Sequence, residues 1–269
     1  MLDACHILQV GPCHRAAPVA GASLLLLLAP LLVSGWVGVG AQERGITVEV
    51  EAGPAWQSRN DVEIPNDGTA TRFALDGLVG GGALPAGRVY LGWNWRERHG
   101  VRLLVAPLTL RRAGLPDREL RFAGTVFQED TAVSARYTFN SYRLSYRWLA
   151  REGERTTAWL GATAKLRDAV VALEQGEVRA RNDDLGFVPL LHLAGEWRFA
   201  PGWHGSFDLD ALAGGPGRAF DGSVRMGRAM GDGWRVSAGY RTVEGGADVD
   251  DVYAFAWFNF MTLAVTKRW

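Results

Sequence analysis

One histidine and two aspartates are spaced so that they could form a general-base pair. His192 lies near the middle of one alternating segment, and Asp208 and Asp210 lie in the next, beyond a short turn around Pro201. Folding this hairpin about Pro201 places His192 roughly opposite Asp210, within reach of a hydrogen bond. A carboxylate that holds one ring nitrogen of a histidine orients the other nitrogen as a general base. The same residues also suit a network of structural charges, so both interpretations stay open.

Other clusters in the sequence have less specific chemistry. The acidic stretches 182–184 and 248–251 offer oxygen ligands for Ca²⁺ or Mg²⁺, but they lack the ligand spacing of a calcium-binding loop. The glycine run 80–82 is followed neither by a lysine nor by a predicted helix, so it indicates a flexible loop and not a phosphate site. We therefore expect no metal and no cofactor.

The composition favours an all-β chain that does not bind nucleic acid. Glycine contributes 34 of the 269 residues, tryptophan 11 and phenylalanine 11, which is typical of barrels with many turns. The 29 basic residues are balanced by 29 acidic ones. Because binding to a phosphate backbone needs a basic excess, nucleic acid is not an expected partner.

Residues 1–41 have the features of a signal peptide. An apolar run at 24–33 is too short for a spanning helix, which needs about 20 residues, and 39–41 match the small-x-small pattern before a cleavage site. Both cysteines fall in this segment. The predicted mature chain, 42–269, therefore has no disulfide and no thiol chemistry.

Period-two alternation recurs along the predicted mature chain. In Tyr142–Trp148 the even positions are Tyr, Leu, Tyr and Trp, whereas the odd positions are Arg, Ser and Arg. Such alternation indicates strands with one apolar face. Ten strands are predicted, near 45–56, 84–97, 100–112, 135–150, 155–173, 185–199, 203–213, 218–230, 233–244 and 252–269. Longer loops are predicted at 57–83, 113–134, 174–184 and 245–251.

Short turns at one end and mostly longer loops at the other are typical of a membrane barrel. We predict a closed antiparallel up-and-down transmembrane β-barrel of about ten strands, within a range of about 8–12.

The aromatic residues distinguish a membrane barrel from a soluble one. A soluble barrel has its apolar side chains inside, whereas a membrane barrel turns them to lipid, and tryptophan and tyrosine collect at the membrane interfaces. The tryptophans predicted at the interface beside the short turns are Trp95, Trp148, Trp197, Trp203, Trp234 and Trp269. A second girdle is predicted from Trp56, Tyr240, Tyr253 and Phe255.

The opposite face of the strands predicts a charged lumen. The interior of a ten-strand barrel is only modestly wider than that of an eight-strand barrel, so opposite charges are expected to pair and fill it. The predicted lumen network comprises Arg143, Arg147, Lys165, Arg167, His192, Glu196, Asp208, Asp210, Arg225, Arg235 and Arg241. Further inward charges are predicted at Glu49, Glu51, Arg88, Arg102 and Asp221.

The last strand ends in an aromatic residue. Leu263, Val265 and Trp269 share one face, which Lys267 interrupts. This strand resembles the C-terminal strand of bacterial outer-membrane β-barrel proteins, whose terminal aromatic is read by the assembly machinery. The strand count is similar to that of omptins, the ten-stranded outer-membrane proteases. The resemblance implies a Gram-negative outer membrane as the location, and outer-membrane lipid, lipopolysaccharide and the barrel-assembly machinery as partners.

Three functions remain compatible with the sequence. The first is a structural or interaction role for a barrel whose lumen is mostly plugged by charged side chains. The second is a narrow channel for small solutes, and the third is an outer-membrane hydrolase that uses His192 with Asp210. The first is the prediction by default, because few residues point to either of the others.

Overall fold

The short turns predicted from the sequence join long antiparallel strands in the computed structural model. The structure describes residues 45–269 except residue 216, and the predicted signal peptide lies outside the described residues. Among the described residues, the one helix, α1 (Leu75–Val79), has five residues. None of the described helical segments is long and apolar enough to cross a bilayer.

Within residues 45–269, residue 216 excepted, ten strands form the barrel wall. They are β1 (Gly45–Glu63), β3 (Leu84–Arg96), β4 with β5 (His99–Ala106 and Thr109–Gly114), β8 (Val133–Glu152), β9 (Thr156–Gln175), β10 (Val178–Ala200), β11 (Trp203–Gly214), β12 (Gly217–Gly231), β13 (Trp234–Val249) and β14 (Val252–Arg268). Three short strands lie in the loops: β2 (Phe73–Ala74), β6 (Leu120–Phe122) and β7 (Thr125–Phe127).

The sheet closes because β1 pairs with both β3 and β14. Closure removes the free edges that could not be satisfied in lipid. The third wall strand is divided between β4 and β5 at Pro107, which has no N–H to donate to a neighbouring strand. Both parts pair with β8, so the wall continues across the break. The prediction of a closed antiparallel barrel of about ten strands is confirmed.

The two ends of the barrel differ in their connections. At the end where β1 begins and β14 ends, each connection has two or three residues; we call this the periplasmic end. At the opposite, extracellular end, long loops cover 64–83 and 115–132. The longer loops predicted at 174–184 and 245–251 are wrong, because β9 and β10 extend to a turn at 176–177 and β13 and β14 to a turn at 250–251.

Several strands are longer than a membrane requires. β8 and β9 have 20 residues each and β10 has 23, whereas about 9–11 residues cross a bilayer. The side-chain polarity of β8 reverses near its middle. On the periplasmic half the outward residues are Tyr142, Leu144, Tyr146 and Trp148, opposite inward Ser141, Arg143, Ser145 and Arg147. On the extracellular half the inward residues are Val133, Ala135, Tyr137 and Phe139, opposite outward Ser134, Arg136, Thr138 and Asn140.

The inward apolar residues form a hydrophobic core in the extracellular half, which we call the apolar plug. Phe258 lies at its centre, with ring centroids 5.8 Å from Tyr137 and 6.4 Å from Phe139. The two long loops fold inward and add buried side chains to it, among them Leu75, Leu120, Phe122 and Phe127. The barrel is therefore filled at this end by packed apolar groups and not by charges.

The exterior of the periplasmic half is apolar. Its large exposed side chains include Ile46, Val50, Leu91, Leu103, Leu144, Leu160, Leu191, Val224, Met226, Met261 and Leu263. An apolar exterior around a polar lumen is the arrangement of a transmembrane barrel and the reverse of a soluble one. This half spans the membrane.

Candidate functional site

The middle of the lumen contains a network of ion pairs centred on Asp221. Its carboxylate accepts hydrogen bonds from Arg88 at 2.6 Å, Arg143 at 2.6 Å and Arg241 at 2.5 Å. These residues come from β12, β3, β8 and β13, so the contacts cross the barrel interior. Asp221 is 2% exposed, and three guanidinium groups compensate the cost of burying its charge. We call Asp221, Arg88, Arg143, Arg241 and the charged residues that pair with them the ion network.

Arg241 extends the ion network to the first strand. It donates to both carboxylate oxygens of Glu51, at 3.0 and 3.1 Å, and to the hydroxyl of Tyr90 at 3.0 Å. Arg225 lies 2.6 Å from Glu49 and 3.4 Å from Glu51. A bidentate arginine–carboxylate pair fixes geometry as well as charge, so these contacts hold β1 against β12 and β13 across the lumen.

The predicted His192–Asp210 pair forms on the neighbouring strands β10 and β11. The two residues are direct cross-strand partners, and Nδ1 of His192 lies 2.8 Å from Oδ1 of Asp210. Asp210 also accepts from Thr163 at 2.8 Å and from Arg143 at 2.8 Å. The pair is therefore part of the ion network.

The environment of His192 limits its chemistry. The residue is 2% exposed, and its Nε2 has no hydrogen-bond partner among the described residues. A general base acts through the nitrogen that the carboxylate does not hold, and this nitrogen needs access to a water or a substrate. The structure provides the orienting aspartate but no described nucleophile at Nε2.

Asp208 lies close to this pair but is bound elsewhere. Its two oxygens accept from Arg102, at 2.5 and 2.9 Å. Donor atoms of His192, Asp208 and Asp210 lie within 4.8 Å of one another, which is close enough for a shared metal ion. Both aspartates are engaged by arginines, so this donor set fits an ion-pair network better than a metal site.

Other predicted lumen charges lie at different levels. Arg167 pairs with Asp184 above the ion network, and Arg235 pairs with Glu196 at 2.7 Å below it. Lys165 is 3% exposed and lies 4.9 Å above the Phe139 ring, with no carboxylate in contact among the described residues. Arg147 lies 4.7 Å above the ring of Trp159.

The predicted interface aromatics lie on the outer surface. Trp148, Trp197, Trp203, Trp234 and Trp269 are exposed at the periplasmic end, and Trp95 lies between Trp93 and His99. Toward the extracellular end, the rings of Trp56 and Tyr240 are 6.3 Å apart. Tyr253 and Phe255 contact arginines there: Arg72 stacks on Tyr253 at 3.7 Å and Arg218 on Phe255 at 4.9 Å.

Two lumen features were not predicted. The apolar plug is not apparent from the sequence, because its residues alternate with polar outward neighbours, and such a pattern is typical of loops or of a lipid-facing strand as well. Trp159, whose side chain lines a polar cavity, was also missed. Its odd position in β9, shared with inward Thr163 and Lys165, is the signal that could have identified it.

No family model matches the chain, and no curated protein matches it. Several solved structures are similar in fold. The outer membrane protease OmpT of Escherichia coli shares 11% identity, covering 86% of this chain and 99% of its own, with a TM-score of 0.48. The translocator domain of the autotransporter NalP of Neisseria meningitidis shares 9% identity over 85% and 90%, with a TM-score of 0.42. Ail of Yersinia pestis, in complex with the heparin analogue sucrose octasulfate, shares 12% identity over 84% and 100%, with a TM-score of 0.36.

At these identities the comparisons concern the fold alone. The chain's own features define its class: a closed barrel, an apolar exterior with aromatic rims, and a charged lumen. Lipid excludes unpaired backbone groups, and a closed barrel is the form in which strands meet this condition. The chain thus has the fold of an outer-membrane β-barrel protein.

Proposed function

We propose that the protein is a sealed outer-membrane barrel with a structural or interaction role. The observation that supports this proposal is that two successive barriers close the lumen. The ion network crosses the middle of the barrel through Asp221, and the apolar plug around Phe258 fills the extracellular half. A sealed barrel acts through its ends and its lipid-facing wall and not by conducting solutes.

A channel is disfavoured by the same two barriers. A cavity of about 430 Å³ opens at the periplasmic end, but the gap of about 20 Å³ between the ion network and the apolar plug is little larger than one water molecule. Buried, mutually bonded arginines and carboxylates are costly to separate, so the network is expected to stay closed.

Planar-bilayer recording tests the sealed barrel directly. The purified, refolded protein is expected to give no stable conductance steps, with insertion checked by heat-modifiable migration on gels and by protease protection in liposomes. Replacing 116–130 with a glycine–serine linker removes β6 and β7 from the apolar plug. This variant is also expected to stay silent, because the ion network remains. Stable conductance steps from the wild-type protein would exclude a sealed lumen.

The hydrolase alternative depends on the His192–Asp210 hydrogen bond at 2.8 Å. The burial of His192 and the unpartnered Nε2 disfavour it, because no substrate carbonyl reaches that nitrogen without rearrangement of the ion network. Wild-type protein, His192→Ala and His204→Ala, the last a buried lumen histidine outside the pair, can be assayed on phospholipid, lipid A and peptide substrates. Hydrolysis lost in His192→Ala and kept in His204→Ala would favour the enzyme over the sealed barrel.

Lipid, lipopolysaccharide and the barrel-assembly machinery remain proposed partners. The exposed ring of Trp269, directly after β14, supports the last of these. If assembly depends on this ring, deleting Trp269 should lower the outer-membrane level of the protein at low expression, with unfolded or degraded chain in the periplasm.

A further inference from the structure

The periplasmic half of the lumen contains a polar cavity below the ion network. Its volume of about 430 Å³ lies within the range of about 300–1,000 Å³ that is typical of small-molecule sites. Residues near the periplasmic turns line it, among them Glu152, Arg198 and Gly233, so it opens toward the periplasm. Asp208 and Arg102, which line its inner end, are bound to each other.

Ten charged side chains line the cavity wall, of which six are arginines and four are carboxylates. Three pairs account for most of these charges: Arg102 with Asp208, Arg225 with Glu49, and Arg235 with Glu196. Arg147 forms no ion pair with any described residue. The barrel wall around the cavity has a low dielectric constant, which makes a charge without a partner costly.

Neither residue directly across from Arg147 on the described neighbouring strands is acidic, because both of these partners are glycines. Gly100 faces it on β4 and Gly161 on β9. A side chain at Gly161 would collide with the carbonyl oxygen of Tyr146, so this neighbour is confined to glycine. Nε of Arg147 is buried without a hydrogen-bond partner among the described residues. A guanidinium held in this way retains its capacity to bind an anion.

An aromatic surface lies beside this guanidinium. The ring of Trp159 lies 4.7 Å from the Arg147 guanidinium carbon and also lines the cavity. The other tryptophans at this end face lipid, where an indole ring is favoured at the interface. Inside a polar cavity, the same ring offers a flat apolar surface on which a planar group can stack.

We propose that this cavity binds a small organic anion from the periplasm. The carboxylate of the anion pairs with the Arg147 guanidinium, and a planar ring attached to it packs on Trp159. The guanidinium of Arg147 without an ion pair, the glycines on both sides of it and the neighbouring ring of Trp159 together define this ligand class. The proposal goes beyond a sealed barrel, because a cavity closed at its inner end binds a solute without passing it across the membrane.

Isothermal titration of the refolded protein in nonionic detergent tests the site, with benzoate as the probe. Benzamide has nearly the same shape and ring but no charge, so it tests the anion requirement without altering the protein. Arg147→Met removes the cation and keeps most of the side-chain volume. The matched control is Arg228→Met, because Arg228 stacks on Trp203 at 5.5 Å at the same end of the barrel but on the outer surface.

We expect saturable benzoate binding to the wild-type protein and to Arg228→Met. Binding should weaken at least about ten-fold in Arg147→Met and for benzamide, because each lacks one partner of a charge-assisted bidentate contact. Trp159→Leu should weaken benzoate several-fold and leave acetate unchanged. Absence of saturable benzoate binding to the wild type, equal binding of benzamide, or equal losses in the two arginine variants would overturn the proposal. Conductance plays no part in this readout, so its failure is independent of failure of the sealed barrel.

Discussion

The two halves of the lumen are lined by opposite kinds of side chain. The periplasmic half contains arginines and carboxylates around Asp221, whereas the extracellular half contains aromatic and aliphatic groups around Phe258. The outer surface reverses at the same level, from exposed Leu144 to outward Arg136. The medium outside the wall accounts for this difference, since lipid favours apolar outward residues and water favours polar ones.

A single strand, β8, therefore combines two patterns of side-chain polarity. The periplasmic half of β8 is a membrane strand, and its extracellular half is a strand of a soluble barrel with a hydrophobic core. The barrel is held by ion pairs and surrounding lipid in one half and by packed apolar volume in the other. Substitutions that test one mechanism at a time can separate these contributions.

The largest effect is expected where a central charge is removed from the ion network. Asp221→Ala leaves Arg88, Arg143 and Arg241 without their shared carboxylate. Breaking a buried ion pair costs about 3–5 kcal/mol, and the loss of three partners places this variant at the upper end. Urea unfolding in lipid vesicles measures the change. Asp168→Ala, which removes a hydrogen bond from Asn140 near the middle of β8 and touches no residue of the ion network, is the control. Equal losses would mean that the network contributes little to stability.

In the apolar plug, Phe258→Ala should destabilise the barrel by about 3–4 kcal/mol, because lost burial and an unfilled cavity add together. Phe258 is 1% exposed and packs against Tyr137 and Phe139. Leu263→Ala on the same strand faces outward, where lipid fills the vacated space, so its loss should be smaller. The same vesicle unfolding experiment compares the two. A larger loss in Leu263→Ala would contradict a packed core in this half.

The reversal of polarity along β8 can be tested with one substitution at two levels. Leu144→Arg places a charge against lipid and should cost about 2–4 kcal/mol near the midplane. Ser134→Arg lies on the same outward face of the same strand, but in the half that extends into water. It should insert and fold like the wild type. Outer-membrane levels and unfolding midpoints give the comparison, and similar damage at both positions would show that lipid reaches Ser134.

The accuracy with which the sequence predicts the strand ends also differs between the two halves of the barrel. At the periplasmic end the predicted strand ends agree closely, as at 97 against Arg96 and 203 against Trp203. At the extracellular end several fall short, as at 56 against Glu63 and 185 against Val178. Lipid imposes an apolar outward face that alternation detects. Above the membrane, Arg179, Arg181 and Asp183 lie on the outward face of β10, which in sequence resembles a polar loop.

The candidate site was predictable where neighbouring strands determine it. The pairing of His192 with Asp210 follows from hairpin register around one short turn. The contacts of Asp221 with Arg88 and Arg143 cross the lumen between distant strands. Their geometry depends on the barrel's width and stagger, which alternation does not contain. The unpaired state of Arg147 likewise depends on which glycines lie beside it in the closed sheet.

The smallest expected effect concerns the boundary between the two halves. Lys165 is the direct cross-strand partner of Arg143 in the ion network, and its ammonium lies 4.9 Å above the ring of Phe139 in the apolar plug. It is 3% exposed and has no carboxylate in contact among the described residues. A buried cation without such a partner carries a desolvation cost that a cation–π contact offsets only in part.

Lys165→Met keeps the length of the chain and removes the charge. Replacing a poorly compensated buried charge by an apolar side chain of similar volume is expected to stabilise the barrel, here by about 1–2 kcal/mol. The urea midpoint in vesicles should therefore rise, whereas Asp221→Ala and Phe258→Ala are expected to lower it. A fall of more than about 1 kcal/mol would mean that Lys165 neutralises the carboxylates of the ion network across the boundary. The two halves would then share one electrostatic system, and the apolar plug would not end the network.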